Sequence, residues 1–379
     1  MEIPFFMVSR GGLAKRTGVV QGGSDNTVTF QVSHPEGALR IRCSCLASPA
    51  FSRNNPPMSI PTTHPFAFDP TYGMTLADLR AIVPPEAPPG FDTFWQARYE
   101  KAIATDPRPV LRKSQLTHPD WQVLDITYTT STGGFEIGGW LLLPRQRPVR
   151  RGLVVGHGYG GRDAPDFDLP VEEAAILFPC ARGLSLSARP PIPADASGHV
   201  LQGIARPDTY IIGGCVDDLW LAVSTLLALY PWLSGHIGYS GVSFGGGIGA
   251  LAIPFDPRID RGHLVVPTFG DREQWLTLPT VGSADSVQTY QKAHGSVLDT
   301  LRMFDAASAA SRIKVPMLAA VALFDPAVAP PCQFAVANAL PTSKYNETFI
   351  LDAGHFDYPG SIEQSAILRE KVRDFFKVL

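Results

Sequence analysis

The stretch HIGYSGVSFGGGIGALAI, residues 236–253, decides how the rest of the chain is read. An apolar run ends in Gly241-Val242-Ser243-Phe244-Gly245, and a small-residue segment follows. That order is strand, sharp turn, helix, and the flanking glycines permit the strained turn that a GxSxG nucleophile elbow requires. Such a turn holds the serine hydroxyl clear of the backbone and points a helix N-terminus at the place where negative charge develops. The motif occurs once in the chain. Ser243 is therefore the expected nucleophile, on a parallel strand of an α/β protein.

Outward from this point, strand and helix patterns alternate. Upstream, RGLVVGHGYGG reads as a buried strand around Leu153–Val155 feeding the loop from Gly156 to Gly161. Between the two, Val216, Leu219, Trp220, Val223 and Leu227 form a helical stripe. Nearer the N-terminus, LDITYTT and FEIGGWLLLP predict an antiparallel pair at the edge of the sheet. The preceding FDTFWQARYEKAIA sets Phe91, Phe94, Trp95 and Tyr99 on one helical face. Downstream, PMLAAVALF and ETFILDA each run apolar to a polar end, and IEQSAILREKVRDFFKVL has helical period. The fold class that results is α/β, a mostly parallel central sheet flanked by helices, with its site at the carboxyl ends of the strands.

A serine hydroxyl is a weak nucleophile at neutral pH, so it needs a base that a carboxylate orients. In this architecture the order is Ser, then Asp or Glu, then His. His355, in DAGHFDYPG near the C-terminus, is the expected base. Asp325, at the end of PMLAAVALF, is the expected carboxylate, because Asp352 and Asp357 stand too near His355 in sequence to orient it from a separate loop. The tetrahedral oxyanion needs two backbone donors, one after the nucleophile and one after an earlier strand, which places them at Phe244 and Tyr159. His157, between glycines in the same loop as Tyr159, is read as shaping that loop.

Composition narrows the function classes. The 379 residues suffice for one large α/β domain or two small ones, and 45% apolar with 18% charged residues is the balance of a folded globule. A net charge of −3 gives no basic field for nucleic acid or anionic lipid, so neither is an expected partner. The start, MEIPFFMVSRGG, lacks the apolar run of a secretory signal, and a cytoplasmic location is expected. Cys43, Cys45, Cys180, Cys215 and Cys332 are sparse and lack CxxC spacing, which argues against a disulfide framework or a zinc site. The chemistry expected at Ser243 calls for no metal and no cofactor.

Residues 1–57 differ from the rest. They carry +3, leaving −6 on the remainder, and the composition shifts at Asn54-Asn55-Pro56-Pro57. TVTFQV has the alternation of a short strand, but the segment as a whole is expected to be a poorly ordered extension. Met58 is a candidate for the natural first residue, and residues 58–379 are read as the α/β domain with a Pro-rich and helical lead-in.

Taken together, PPGFDTFWQARYEKA, GGWLLLPR, VVGHGYGGR, GCVDDLWLAV, GYSGVSFGGG, LFDPAVAPPCQFAVANAL and AGHFDYPG resemble the acetyl xylan esterases and cephalosporin C deacetylases of the α/β-hydrolase fold, over about residues 84–379. The resemblance puts that family's nucleophile on Ser243, its acid on Asp325, its base on His355 and its oxyanion tyrosine on Tyr159. It implies a serine esterase that takes acetyl groups from small, carbohydrate-like substrates, and a closed homo-oligomer, often a hexamer. Two positions depart from the family pattern. Phe244 stands where glutamine is usual, and Ala181-Arg182-Gly183-Leu184-Ser185 replaces an Arg-Gly-Gln-Gly loop. Both are expected near the mouth of the site.

Overall fold

The computed structural model describes residues 60–134 and 136–379, together with the backbone of three strands before them. The chain divides into two units, Met1–Met58 and Ser59–Leu379. In the first, β1 (Gln21–Gly22), β2 (Thr27–Val32) and β3 (Leu39–Ser44) pair antiparallel in that order. The TVTFQV strand coincides with β2. The readings of the remainder of 1–57, and of Met58 as a start, lie outside the described residues.

The second unit is built on a nine-stranded sheet ordered β12-β11-β10-β9-β7-β8-β6-β5-β4. Its parallel part comprises β7 (Arg151–Gly156), β8 (Ala174–Pro179), β9 (Ile237–Val242), β10 (Arg261–Val265), β11 (Met317–Ala322) and β12 (Glu347–Leu351). The antiparallel pair expected from LDITYTT and FEIGGWLLLP is present as β5 (Trp121–Thr129) and β6 (Glu136–Pro144). It is not the sheet edge, however. β4 (Val110–Lys113) adds to β5 on the outside, and its four exposed residues carry no apolar alternation that would mark a strand in sequence.

Helices cover both faces. On one lie α1 (Phe91–Ile103) and α2 (Ile211–Leu229), with the Trp95 and Trp220 rings edge to face at 6.1 Å and the Trp220 indole N–H donating to the Ala252 carbonyl at 3.0 Å. On the other, α5 (Ser361–Phe376) buries Val372 and Phe376 against Leu153 and Ile176. The stripe expected on α2 understates its burial. It is long and apolar enough to span a membrane, yet it is buried on nearly every side within the fold. Asp217 and Asp218 within it are matched by arginines. Arg98 reaches Asp217 at 2.8 Å, and Arg182 grips both Asp218 oxygens at 2.6 and 2.7 Å.

The register brings the strand ends level. Gly156 pairs with Gly241, Val242 with Val265, Val265 with Ala320, and Ala322 with Leu351. Consequently the loops after β7, β9, β10, β11 and β12 all open on the same edge. β8 lies on one side of β7 and β9 on the other, which makes this the place where strand order reverses and where open α/β sheets bind ligands.

Candidate active site

Ser243 joins β9 to α3 (Phe244–Ala252) with φ 53° and ψ −110°, a conformation a non-glycine residue adopts only when its surroundings enforce it. The enforcing contacts are backbone on backbone. The Ser243 N–H donates to the Val265 carbonyl at 2.8 Å, and the Gly245 N–H donates to the His157 carbonyl at 2.9 Å. A Cβ on Gly245 would lie 2.7 Å from the Gly156 carbonyl carbon, so only glycine lets α3 start this close to the β7 loop. The glycine expected to permit a turn here thus also permits a close approach.

His355 and Asp325 reach this serine from two other loops. The Ser243 hydroxyl stands 2.9 Å from His355 Nε2, and His355 Nδ1 stands 2.8 Å from Asp325 Oδ2. With Asp325 ionised, Nδ1–H donates to the carboxylate, which leaves Nε2 to accept from the hydroxyl. The Asp325 carboxylate is fully buried, while the His355 side chain keeps 19% of its surface exposed. Burial disfavours a charged His355, but the adjacent Asp325 charge and hydrogen bond outweigh it and hold the imidazole pKa above its ordinary value. The carboxylate hydrogen-bonded to the His355 ring is that of Asp325, while Asp352, three residues before His355, is buried.

The β7 loop is set by His157. Its buried ring accepts from the Ala181 N–H at Nε2, 2.9 Å away, and Nδ1–H donates to the Gly158 carbonyl at 2.6 Å. Burial, helped by Arg162, pushes its pKa down to about 4, so the ring is neutral and holds this tautomer. That is the loop-shaping part assigned to it from sequence. Tyr159, two residues on, stacks its ring on Phe244 at 4.2 Å. Among the described residues, neither the Tyr159 nor the Phe244 backbone N–H has an acceptor. No group of three His, Cys, Asp or Glu side chains among the described residues is disposed to hold a metal ion.

Against this geometry, the sequence profile of the acetyl xylan esterase (AXE1) family matches residues 71–369. The chain belongs to the acetyl xylan esterase family. It is a hydrolase, and its fold agrees with solved relatives. An acetyl xylan esterase from Paenibacillus sp. R4 superposes with a TM-score of 0.68 at 23% identity, covering 79% of this chain and 99% of that one. Acetyl xylan esterase 1 from Thermoanaerobacterium sp. JW/SL YS485 gives 0.65 at 18% identity, covering 80% and 99%. An acylaminoacyl peptidase from Pyrococcus horikoshii gives 0.51 at 16% identity over 70% of this chain but 44% of its own, a likeness of fold.

Within this acetyl xylan esterase family member, the two departures carry buried side chains at Phe244 and Arg182. Phe244 is fully buried, packed between Tyr159, His199 at 6.0 Å and Phe269 at 6.1 Å, because the helix that begins at Phe244 turns that side chain inward. Arg182 is buried too. Its pairing with Asp218 ties the 181–185 loop to α2, and its carbonyl accepts from His199 Nε2 at 2.8 Å. Burial opposes the Arg182 charge, but Asp218 more than offsets this and keeps the guanidinium ionised. Arg182 is marked in sequence only as part of a loop that departs from the family pattern, and Asp218 and His199 carry no assigned role there. The adjacent acids within an apolar helix, GCVDDLWLAV, were the available signal.

Proposed function

We propose that this chain removes acetyl groups from acetylated carbohydrates such as xylo-oligosaccharides, through an acyl-enzyme on Ser243. The observation that carries this reading is the unbroken chain from the Ser243 hydroxyl to His355 Nε2 at 2.9 Å and from His355 Nδ1 to Asp325 at 2.8 Å, at an elbow turn. Family membership supports the acetyl group and the carbohydrate.

As Ser243 Oγ bonds to the ester carbonyl carbon, its proton passes to His355 Nε2. Asp325 holds the ring in the tautomer that can accept it and stabilises the imidazolium that forms. The carbonyl oxygen becomes an oxyanion facing the N–H groups of Tyr159 and Phe244, each such donor contributing about 3 kcal/mol to the transition state. Collapse breaks the bond to the alcohol oxygen, which leaves with the proton from His355. Water then attacks the acetyl carbonyl, gives its proton to His355, and acetate departs as Ser243 recovers its hydrogen. His157 and the Arg182–Asp218 pair keep the Tyr159 loop at its distance from Phe244.

With this reading goes a homo-oligomer, a hexamer by resemblance, working in the cytoplasm. Light scattering gives the mass in solution. The substrate test is hydrolysis of p-nitrophenyl acetate, butyrate and octanoate, and acetate release from acetylated xylo-oligosaccharides, by wild type and Ser243→Ala. Turnover that falls with chain length, and that drops by about 10⁵-fold or more in Ser243→Ala, is expected. A preference for octanoate would replace the deacetylase with a general carboxylesterase, and undiminished turnover in Ser243→Ala would remove the mechanism.

A further inference from the structure

The segment LFDPAVAPPCQFAVANAL carries a residue with no part in the chemistry above. Gln333 lies near the start of α4 (Pro330–Ala339) and is fully buried. Its side-chain carbonyl accepts from the Ala322 N–H at 2.8 Å, at the end of β11. Its amide nitrogen donates to the Val328 carbonyl at 2.6 Å and to Asp325 Oδ2 at 2.8 Å. These contacts fix the amide in one orientation. Reversed, its NH₂ would face an N–H and its oxygen would face both a carbonyl and a carboxylate.

The oxygen that Gln333 grips is the one that accepts from His355. Asp325 Oδ1 takes the N–H groups of Ala327 at 2.8 Å and Val328 at 2.9 Å, so both carboxylate oxygens are engaged by the protein and Oδ2 is shared between Gln333 and His355. A donor on a shared oxygen withdraws charge from it and weakens the hold of that oxygen on the other donor. We propose that Gln333 is a positioning residue for the Ser243–His355–Asp325 chain, aiming Oδ2 at His355 and tempering its charge so that His355 gives up its proton at a lower pH than it otherwise would. This rests on the reading of that chain as the catalytic one.

Other titratable groups around the pair do not supply this control. Tyr72 faces Asp325 from the segment before the first helix, and burial together with Asp325 raises its phenol, leaving it neutral. Burial likewise pushes the Cys332 thiol, next to Gln333, well up. His64 packs its ring on Phe324, the neighbour of Asp325, at 5.4 Å. In the loop of His355 itself, Asp352 is buried and Asp357 exposed. Asp325 is the charge that acts on the imidazole.

The test compares wild type with Gln333→Met, of similar size and without a donor, and Gln333→Glu, of the same shape with a negative charge. The acidic limb of kcat/KM is expected to move up by about one pH unit in Gln333→Met, the worth of a hydrogen bond to a charged group, with KM nearly unchanged. Gln333→Glu moves it further, giving the order wild type, Met, Glu. NMR titration of the His355 ring follows the same order without any turnover and is repeated on a Ser243→Ala background. A lower melting temperature with His355 titrating as in wild type in both variants would overturn the inference, leaving Gln333 a packing residue. Should either variant fail to fold, the other carries the titration. Loss of turnover in Ser243→Ala with no movement of His355 by Gln333 defeats this inference alone, whereas persistent turnover in Ser243→Ala defeats the functional reading and leaves the NMR result to judge Gln333.

Discussion

The turn that carries Ser243 and the loop that carries His355 meet at one hydrogen bond, but they are held in different ways. Around Ser243 the support is backbone packed on backbone, with Gly245 against Gly156 and His157 and the N–H of Ser243 on Val265. Around His355 the support is polar, through Asp325, with Gln333 behind it. His355 also has a positive φ of 47°, and a Cβ on the preceding Gly354 would overlap Asp325 Oδ2. A serine held by backbone contacts therefore faces an imidazole whose setting depends on its electrostatic partner. On this contrast, a change in the first region is expected to tell on stability and one in the second on the proton affinity of His355.

The largest effect that could break this contrast is at the carboxylate. Asp325→Asn should lower kcat about 10⁴-fold, since an amide disfavours the tautomer in which His355 Nε2 accepts. Asp352→Asn should leave kcat near wild type, and equal losses in steady-state assays would mean that the base is oriented from its own loop.

Next come the two glycines. Gly245→Ala forces a Cβ into backbone that has no room to move, and should cost about 2–3 kcal/mol in denaturant unfolding. Gly354→Ala meets the Asp325 carboxylate and the edge of Val266 instead, so its loss of activity should exceed its loss of stability. Equal unfolding midpoints for the two variants would erase the distinction between the regions.

The smallest effect is in the pH dependence. Because Asp325 raises the His355 pKa in the folded protein, activity should disappear on acidification at a pH above the ordinary imidazole value of about 6.5. The sign for stability is opposite. The charged His355–Asp325 pair stabilises the fold fully below that unfolded value, and its contribution fades as pH rises through the folded pKa. Melting curves and pH–rate profiles taken together should show the contribution to stability falling over the range where activity appears, and a rate profile with its acidic limb below 6.5 would contradict the assigned pairing.

The two regions also differ in how far they can be read from sequence. The elbow is local: an apolar strand, a serine between glycines and a small-residue helix are contiguous, so fold and nucleophile are legible together. His355 and Asp325 are found by order along the chain and by their places at strand ends. Gln333 and Gly354 gain their meaning only when loops separated in sequence come together, and no local pattern marks them. Among the strands, the apolar runs of β7, β9, β11 and β12 announce themselves, whereas β10 begins with Arg261 and holds His263, and β4 is exposed throughout. Phe244 shows a related limit. Sequence places it next to the nucleophile, but the direction of its side chain is set by the helix it begins.

The central claim is that Ser243 carries the acyl group. Rapid acid quench of the protein with an activated acetyl ester, followed by peptide mass analysis, tests it most directly. One acetyl group on the peptide containing Ser243, absent in Ser243→Ala, is the predicted result. Ester turnover with no acetyl on that peptide, or with the acetyl on another residue that survives in Ser243→Ala, would contradict it.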